Sequence, residues 1–207
     1  MAICQKGGDV RIVLATKNKK KVEELTRMFS GRAIIFETLD VFPGCPEVIE
    51  DGRTFRQNAV KKAAAIAQYT GCPALADDSG LEVDALGGAP GVYSARYAGK
   101  DANDRNKVRK LLKDMKDISD PNKRTARFVC CIALALPDGR CKTFSGSVKG
   151  TIGKRARGVS GFGYDPVFFP EEHDRTFAEM TANEKDGLSH RGRAIGRLYT
   201  YLKKILD

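Results

Sequence analysis

Apolar spacing changes period several times along this chain, and the order of those changes limits the folds open to it. "VRIVLAT" (10–16) is a short β-branched run that reads as a strand. It feeds "KNKKKVEELTRMFSG", where Val22, Leu25, Met28 and Phe29 fall on one helical face and Gly31 stands as a stop after the last turn. "RAIIFETL" returns as a strand. Thr54 and Gln57 have capping-box spacing, so a helix is expected from "TFRQNAVKKAAAIAQYTG" to a stop at Gly71, with Asn58 and Lys62 sharing a face of its first turns. "PALAD" (73–77) reads as a third strand and "LEVDAL" as a fourth. Val108, Leu111, Leu112 and Met115 keep amphipathic helical spacing within 101–117. "RTARFVCCIALALPDGRCKTFSGSVKG" then reads as two long strands around a turn at Pro137-Asp138-Gly139-Arg140. Residues 153–191 are glycine-rich and then mixed, and no period places them. A closing helix is expected from about Arg193 to Leu206, with Ile195, Leu198, Tyr199, Leu202 and Ile205 as its buried stripe. Helices interleave with strands early and a hairpin comes late, so the expected class is α/β with a mixed sheet.

A chain of 207 residues, 42% of them hydrophobic, fills one well-buried core and is marginal for two, so a single domain over 1–207 is expected, with 1–9 as a loosely attached or disordered extension. Six cysteines (Cys4, Cys45, Cys72, Cys130, Cys131, Cys141) show no C-x-x-C pair and read as free thiols of a reducing compartment. No opening stretch is apolar enough for a signal peptide or membrane span, which makes the cytoplasm the expected location and gives no reason to look to a membrane. A net charge of +10 suggests polyanionic partners, nucleic acid or small phosphorylated molecules, although "KVRKLLKDMKD" and "RLYTYLKKILD" place many cations on outer helix faces.

Several chemistries are excluded by what is missing. There is no G-x-x-x-x-G-K-[ST] phosphate loop, and in "GFGYDP" Pro166 stands where a dinucleotide fingerprint needs its third glycine. Only His173 and His190 occur, too few for a multi-histidine metal site, and no G-x-S-x-G elbow is present. Acids and scattered cations on loops remain. Glu50-Asp51-Gly52 precedes one helix, and Asp77-Asp78-Ser79-Gly80 ends one strand. Hard oxygens of this kind suit Mg²⁺, although "DDSG" alone also reads as an Asx- or Ser-capped turn. The lysines of "TKNKKK" open a helix, where free N–H groups favour an anion, but successive residues fan around the helix and cannot all face one ligand. "EKDGLSHRGRA" sets Lys185, His190 and Arg191 ahead of the last helix, equally readable as an anion or base-edge site or as a solvated helix start.

"ATKNKKKVEEL", "EDGRTFRQNAVKKA", "ADDSGLEVDALGGAPGVYSARYAG", "ARFVCCIAL", "GFGYDPVFF" and "EKDGLSHRGRA" follow one another in the order and wording of the inosine triphosphate pyrophosphatase family. The resemblance runs from about residue 11 to the C-terminus. It implies an elongated, mixed, curved sheet flanked by helices, in two lobes with a cleft between them. It also implies hydrolysis of ITP, dITP and XTP to monophosphate and pyrophosphate by a Mg²⁺-dependent homodimer, with Mn²⁺ as a substitute ion. Matched position by position, Thr16, Lys17, Asn18, Lys19, Lys20, Lys21 and Lys62 resemble phosphate binders. Glu50 and Asp78 resemble metal ligands, with Asp77 in support, and Asp78 resembles the proton acceptor. Ser79, Phe162, Gly163, Tyr164, Asp165, Lys185, His190 and Arg191 resemble substrate contacts. One departure is visible: Ser160 stands where the family often has glycine, which puts the backbone of "GVSGFGYDP" in question.

Attack on an α-phosphorus needs an activated water, neutralised phosphate oxygens and a stabilised leaving group, and an acid-plus-cation site supplies all three. On this reading the basic residues meet the triphosphate, not the carboxylates. Base choice would come from donors facing the 6-oxygen of hypoxanthine or xanthine, which would leave adenine's amino group unpaired. Two rivals stand beside it: a sister pyrophosphatase for modified pyrimidine nucleotides, and a basic nucleic-acid-binding module. The second lacks any basic-aromatic strand pattern, so no nucleic acid partner is expected.

Overall fold

The protein is described here from a computed structural model, covering residues 5–6, 9–30 and 34–206. Strands and helices follow in the order β1 (Gln5–Lys6), β2 (Asp9–Leu14), α1 (Lys19–Met28), β3 (Ile34–Glu37), α2 (Phe55–Thr70), β4 (Ala74–Val83), α3 (Asp104–Asp114), β5 (Thr125–Ala135), β6 (Cys141–Ile152), β7 (Phe168–Pro170), α4 (Ala182–Leu188) and α5 (His190–Leu206). One mixed sheet runs β1-β2-β4-β5-β6-β7, with β3 also paired to β2. β2 is parallel to β3 and to β4, in register Val13 to Ala74, whereas β1–β2 and β6–β7 are antiparallel. Of the extension expected over 1–9, Gln5–Lys6 pairs with Val10 and Asp9. The helix stop expected at Gly31 lies outside the described residues.

Local signals account for most of these boundaries. Asn18 caps α1, its side chain accepting from Lys21 N at 3.3 Å. Thr54 and Gln57 close a reciprocal box at the start of α2, which stops at Gly71. The turn at 137–140 closes with Leu136 N donating to Arg140 O at 2.8 Å. Of the boundaries that differ from the sequence reading, two bear on the site. "PALAD" and "LEVDAL" belong to a single ten-residue strand, β4, so "DDSG" is mid-strand and not a turn. α5 begins at His190, three residues before the expected start, and carries His190 and Arg191 in its first turn.

Contacts divide the chain into two compact units: residues 1–78, 131–145 and 194–207, and residues 79–130 and 146–193. In the first, Ile12, Val13, Leu14, Leu25, Ala59, Ala63, Ile66 and Leu75 are buried. In the second, Leu81, Val83, Leu111, Met115, Phe128, Val167, Phe168 and Phe177 form one apolar cluster. Fully burying a side chain of this size contributes about 1.5–3 kcal/mol, which anchors the strands that carry the polar groups described next. Buried within the second unit, Arg124 donates to the carbonyls of Ile152, Met115, Ile118 and Gly153 and so satisfies backbone acceptors at the ends of α3 and β6. Cys45, Cys72, Cys130, Cys131 and Cys141 are free thiols.

Candidate active site

The first unit gathers acids and lysines from three places. β4 ends its passage through this unit at Asp77 and Asp78, both buried. Because side chains alternate along a strand, the two carboxylates leave opposite sides and meet different partners. Asp77 forms an ion pair with Lys21 of α1, and its carboxylate is almost wholly buried. Asp78 Oδ2 accepts from Asn58 Nδ2 of α2 at 3.0 Å. One turn along α2, Lys62 Nζ donates to Glu50 Oε1 at 2.8 Å and to the carbonyl of Asp77 at 3.0 Å.

The lysines therefore meet the carboxylates directly, which departs from the expectation that they would face phosphate alone. Buried charge is costly without a counter-charge, and Lys21 and Lys62 supply one. Burial pushes the Asp78 carboxyl up; Lys62 and Lys21 pull it back, Glu50 raises it further, and the Asn58 amide lowers it. That Glu50 and Asp78 feel one another places both acids in one electrostatic neighbourhood.

Of the other residues expected to bind phosphate, Lys17, Lys19 and Lys20 are exposed. Thr16 Oγ1 accepts from Asn18 N at 3.1 Å, which shapes the turn into α1.

The second unit gathers a separate set. Lys185 of α4 donates to Asp165 Oδ2 at 2.7 Å, and the same oxygen accepts from Phe162 N at 2.8 Å. Arg191 donates to Ser79 Oγ at 2.9 Å. The Lys185 ammonium lies 4.9 Å from the centre of the Phe162 ring and the Arg191 guanidinium 5.5 Å, both within cation–π range. His190 stacks on Phe128 with ring centres 4.7 Å apart and planes 8° from parallel. Lys185, His190 and Arg191 are all buried, so this helix start is not a solvated one. Tyr164 is buried too, its hydroxyl committed to the carbonyl of Ser94 at 2.9 Å, and burial pushes its pKa up.

Ser160 proves undemanding. Among the described residues only Glu172 is a non-glycine with positive φ, so Ser160 keeps ordinary backbone, and it is exposed. Gly161 is the constrained position: its φ is +73°, and an added Cβ would collide with the Asp165 carboxylate.

The donor chemistry fits a hard divalent cation. Glu50 and Asp78 offer two carboxylates, within the one or two that Mg²⁺ usually takes from protein; Glu50 is paired with Lys62 here, as Asp77 is with Lys21. Among the described residues no three His, Cys, Asp or Glu side chains converge into a ready-made cage, so water and phosphate oxygens would complete any shell. Asn58 and Phe128 were not among the sequence candidates. Asn58 had a signal, its position four residues before Lys62 on one face; Phe128 had none beyond lying in an apolar strand.

A profile of the Ham1 family matches residues 12–201, a span that includes every candidate site residue named above. The chain belongs to that family. Two curated relatives, both named dITP/XTP pyrophosphatase, come from Geobacter sulfurreducens (50% identical over 93% of this chain and 96% of the relative) and Desulforamulus reducens (48% identical over 95% and 97%). Among solved structures, a HAM1 protein from Coxiella burnetii superposes with a TM-score of 0.86 at 42% identity, covering 94% of this chain and 98% of that one. A dITP/XTP pyrophosphatase from Mycobacterium abscessus gives 0.75 at 43% identity, covering 91% and 98%. The resemblance carried by the six sequence blocks is thereby borne out, as is the mixed-sheet α/β class.

Proposed function

We propose that this chain is a nucleoside-triphosphate pyrophosphatase that clears dITP, XTP and ITP from the nucleotide pool, releasing the monophosphate and pyrophosphate. The observation that carries the reading is the meeting of the buried Asp77, Asp78, Lys62 and Asn58 with the partly exposed Glu50 and Lys21 in a chain about half identical to curated enzymes of that name.

Asp78 takes the proton of the water that attacks the α-phosphorus. Burial raises its pKa toward the working pH, which makes it a better base than an exposed carboxylate. Lys21 and Lys62 exchange their carboxylate partners for phosphate oxygens and stabilise the charge that gathers on departing pyrophosphate. Glu50 and Asp78 would hold Mg²⁺, or Mn²⁺ in its place. When bound, such an ion supplies Lewis-acid neutralisation of phosphate oxygens. The turn that leads into α1 together with its first residues, Thr16 to Lys21, supplies backbone N–H groups and ammonium charge to the same anion.

Arg191, His190 and Lys185 offer donors to a 6-oxo purine, and the Phe162 ring offers a face for stacking. Adenine would set its 6-amino donor against those donors, at the cost of an unpaired buried group. Asp165 and Tyr164 act on the substrate through this loop: the first fixes Phe162 and Lys185, the second ties the loop to Ser94. The 207 residues act as one catalytic domain, paired as a homodimer in the cytoplasm; no helix among the described residues is long and apolar enough to cross a membrane.

Pyrophosphate release from dITP, XTP, dUTP, dATP and dGTP, with and without Mg²⁺, tests the reading. Fast turnover of dITP and XTP is expected. Preference for dUTP would move the chain to the pyrimidine branch, equal turnover of dATP would remove the account of base choice, and no release from any would remove the activity.

A further inference from the structure

Asn58 is fully buried, and its side chain makes two hydrogen bonds to groups far apart in sequence. Nδ2 donates to Asp78 Oδ2 at 3.0 Å, and Oδ1 accepts from Gly52 N at 2.7 Å. The partners fix the amide's orientation: a backbone N–H can only donate and an ionised carboxylate can only accept. Gly52 lies two residues after Glu50, in the segment that leads into α2. A Cβ at position 52 would sit 2.6 Å from Asn58 Oδ1 and 2.8 Å from Gln57 Cβ, so the segment approaches the amide as closely as only glycine allows.

We infer that Asn58 is a positioning residue for the hydrolysis, setting the separation and mutual orientation of Glu50 and Asp78 by holding the Asp78 carboxylate with one end of its amide and the backbone behind Glu50 with the other. The inference rests on Glu50 and Asp78 working together as proposed above. Only a side chain with an acceptor and a donor on one rigid plane does this at this length. An aspartate would turn an acceptor toward Asp78, and a leucine of similar shape would leave both the Gly52 N–H and the Asp78 oxygen without this partner. Anchored on α2, which also carries Lys62 one turn later, the amide ties three groups of the cluster to one helix. The stretch "EDGRTFRQNAVKK" thus encodes a spacing as well as a set of charges.

Groups that orient metal-binding carboxylates typically cost roughly 10- to 100-fold in affinity or activity when removed. For Asn58→Leu the expected result is a fall of that size in kcat for dITP with KM nearly unchanged. Mn²⁺ binding to the nucleotide-free protein, followed by calorimetry, should weaken by a similar factor. A purely structural role would lower the melting temperature and leave kcat of the folded fraction and Mn²⁺ affinity at parental values; that outcome overturns the inference. Should Asn58→Leu fail to fold, Gly52→Ala presses on the same junction from the other side and is expected to give the same loss of kcat and of Mn²⁺ affinity; parental values there overturn it equally. If the parental protein releases no pyrophosphate from dITP, the functional reading fails instead, and the Mn²⁺ titrations of parent and variants still decide whether Asn58 orients the two carboxylates.

Discussion

Gly161→Ala tests whether the Asp165 carboxylate is the fastener of the 160–165 loop. An alanine Cβ there would lie 3.1 Å from Asp165 Cγ and nearer still to Oδ2, so the carboxylate must retreat by about 1 Å to reach ordinary contact. Its hydrogen bonds to Lys185 and Phe162 N are 2.7 and 2.8 Å long, and a retreat of that size takes both out of range. Each such bond to a charged group contributes about 1.5–3 kcal/mol. Holding alanine at a φ of +73° adds about 1–2 kcal/mol. Local yielding of the loop caps the loss, so the lower end of the sum, about 4 kcal/mol, is expected, which for a chain of this size lowers the melting temperature by about 8–16 °C. Calorimetric unfolding measures it, and dITP kinetics should show KM raised, since Phe162 and Lys185 lose their anchor. The control is Ser160→Gly: an exposed residue with ordinary φ should change stability by less than about 0.5 kcal/mol. A Gly161→Ala protein that melts within a few degrees of its parent with the same KM would refute the reasoning, as would a large effect at Ser160.

Asp78→Asn should cost roughly 10²- to 10⁴-fold in kcat for dITP, the usual worth of a general base. The same change should raise the melting temperature near neutral pH: burial raises the Asp78 pKa, so its favourable contribution is complete below the ordinary carboxyl value of 3.8 and is lost as pH climbs through the raised one. A fall in melting temperature would count against that sign. Glu184 has the opposite sign, its pKa pulled from 4.5 to about 2 chiefly by the Arg175 hydrogen bond and by Thr181. Its contribution is present above about 4.5 and lost as pH falls toward 2, so the stability gap between parent and Glu184→Gln should close over that window; a constant gap would contradict it.

Period and punctuation made the early elements legible in the sequence. α2 was bounded to the residue because a capping box and a helix-ending glycine are local devices, written in the residues that use them. β4 reads as two strands in the sequence because Asp, Ser and Gly are poor strand formers; the parallel ladder from Val13 and Leu14 to Ala74 and Leu75, together with burial along the strand, overrides that preference. Residues 153–191 carry little regular structure beyond β7 and α4, and their shape is set by side-chain ties such as Asp165 to Lys185, which periodicity does not register. α4 did leave a mark, the T-x-x-E of Thr181 and Glu184, which closes a capping box. The charged candidates are legible through the family-like blocks that contain them, but their burial is not: Lys62, Lys185 and Arg191 are buried whereas Lys17, Lys19 and Lys20 are exposed. Phe128, by contrast, looks like any core residue of a strand until His190 is found stacked on it.

Net charge says little about where the candidate site sits. The +10 of the chain is a property of its outside: Arg105, Arg109, Lys113 and Lys116 line the exposed side of α3 and its end, as Lys17, Lys19 and Lys20 do at the start of α1. The cluster around the buried Asp77 and Asp78 is different, with the carboxylates of Glu50, Asp77 and Asp78 facing the ammonium groups of Lys21 and Lys62. Ionised throughout, it carries one negative charge more than positive, which is the balance that burial resists by raising the Asp78 pKa. Under the function proposed above, a divalent cation held by Glu50 and Asp78 would relieve that excess, and the phosphates of a substrate would give Lys21 and Lys62 an anion in place of their carboxylate partners.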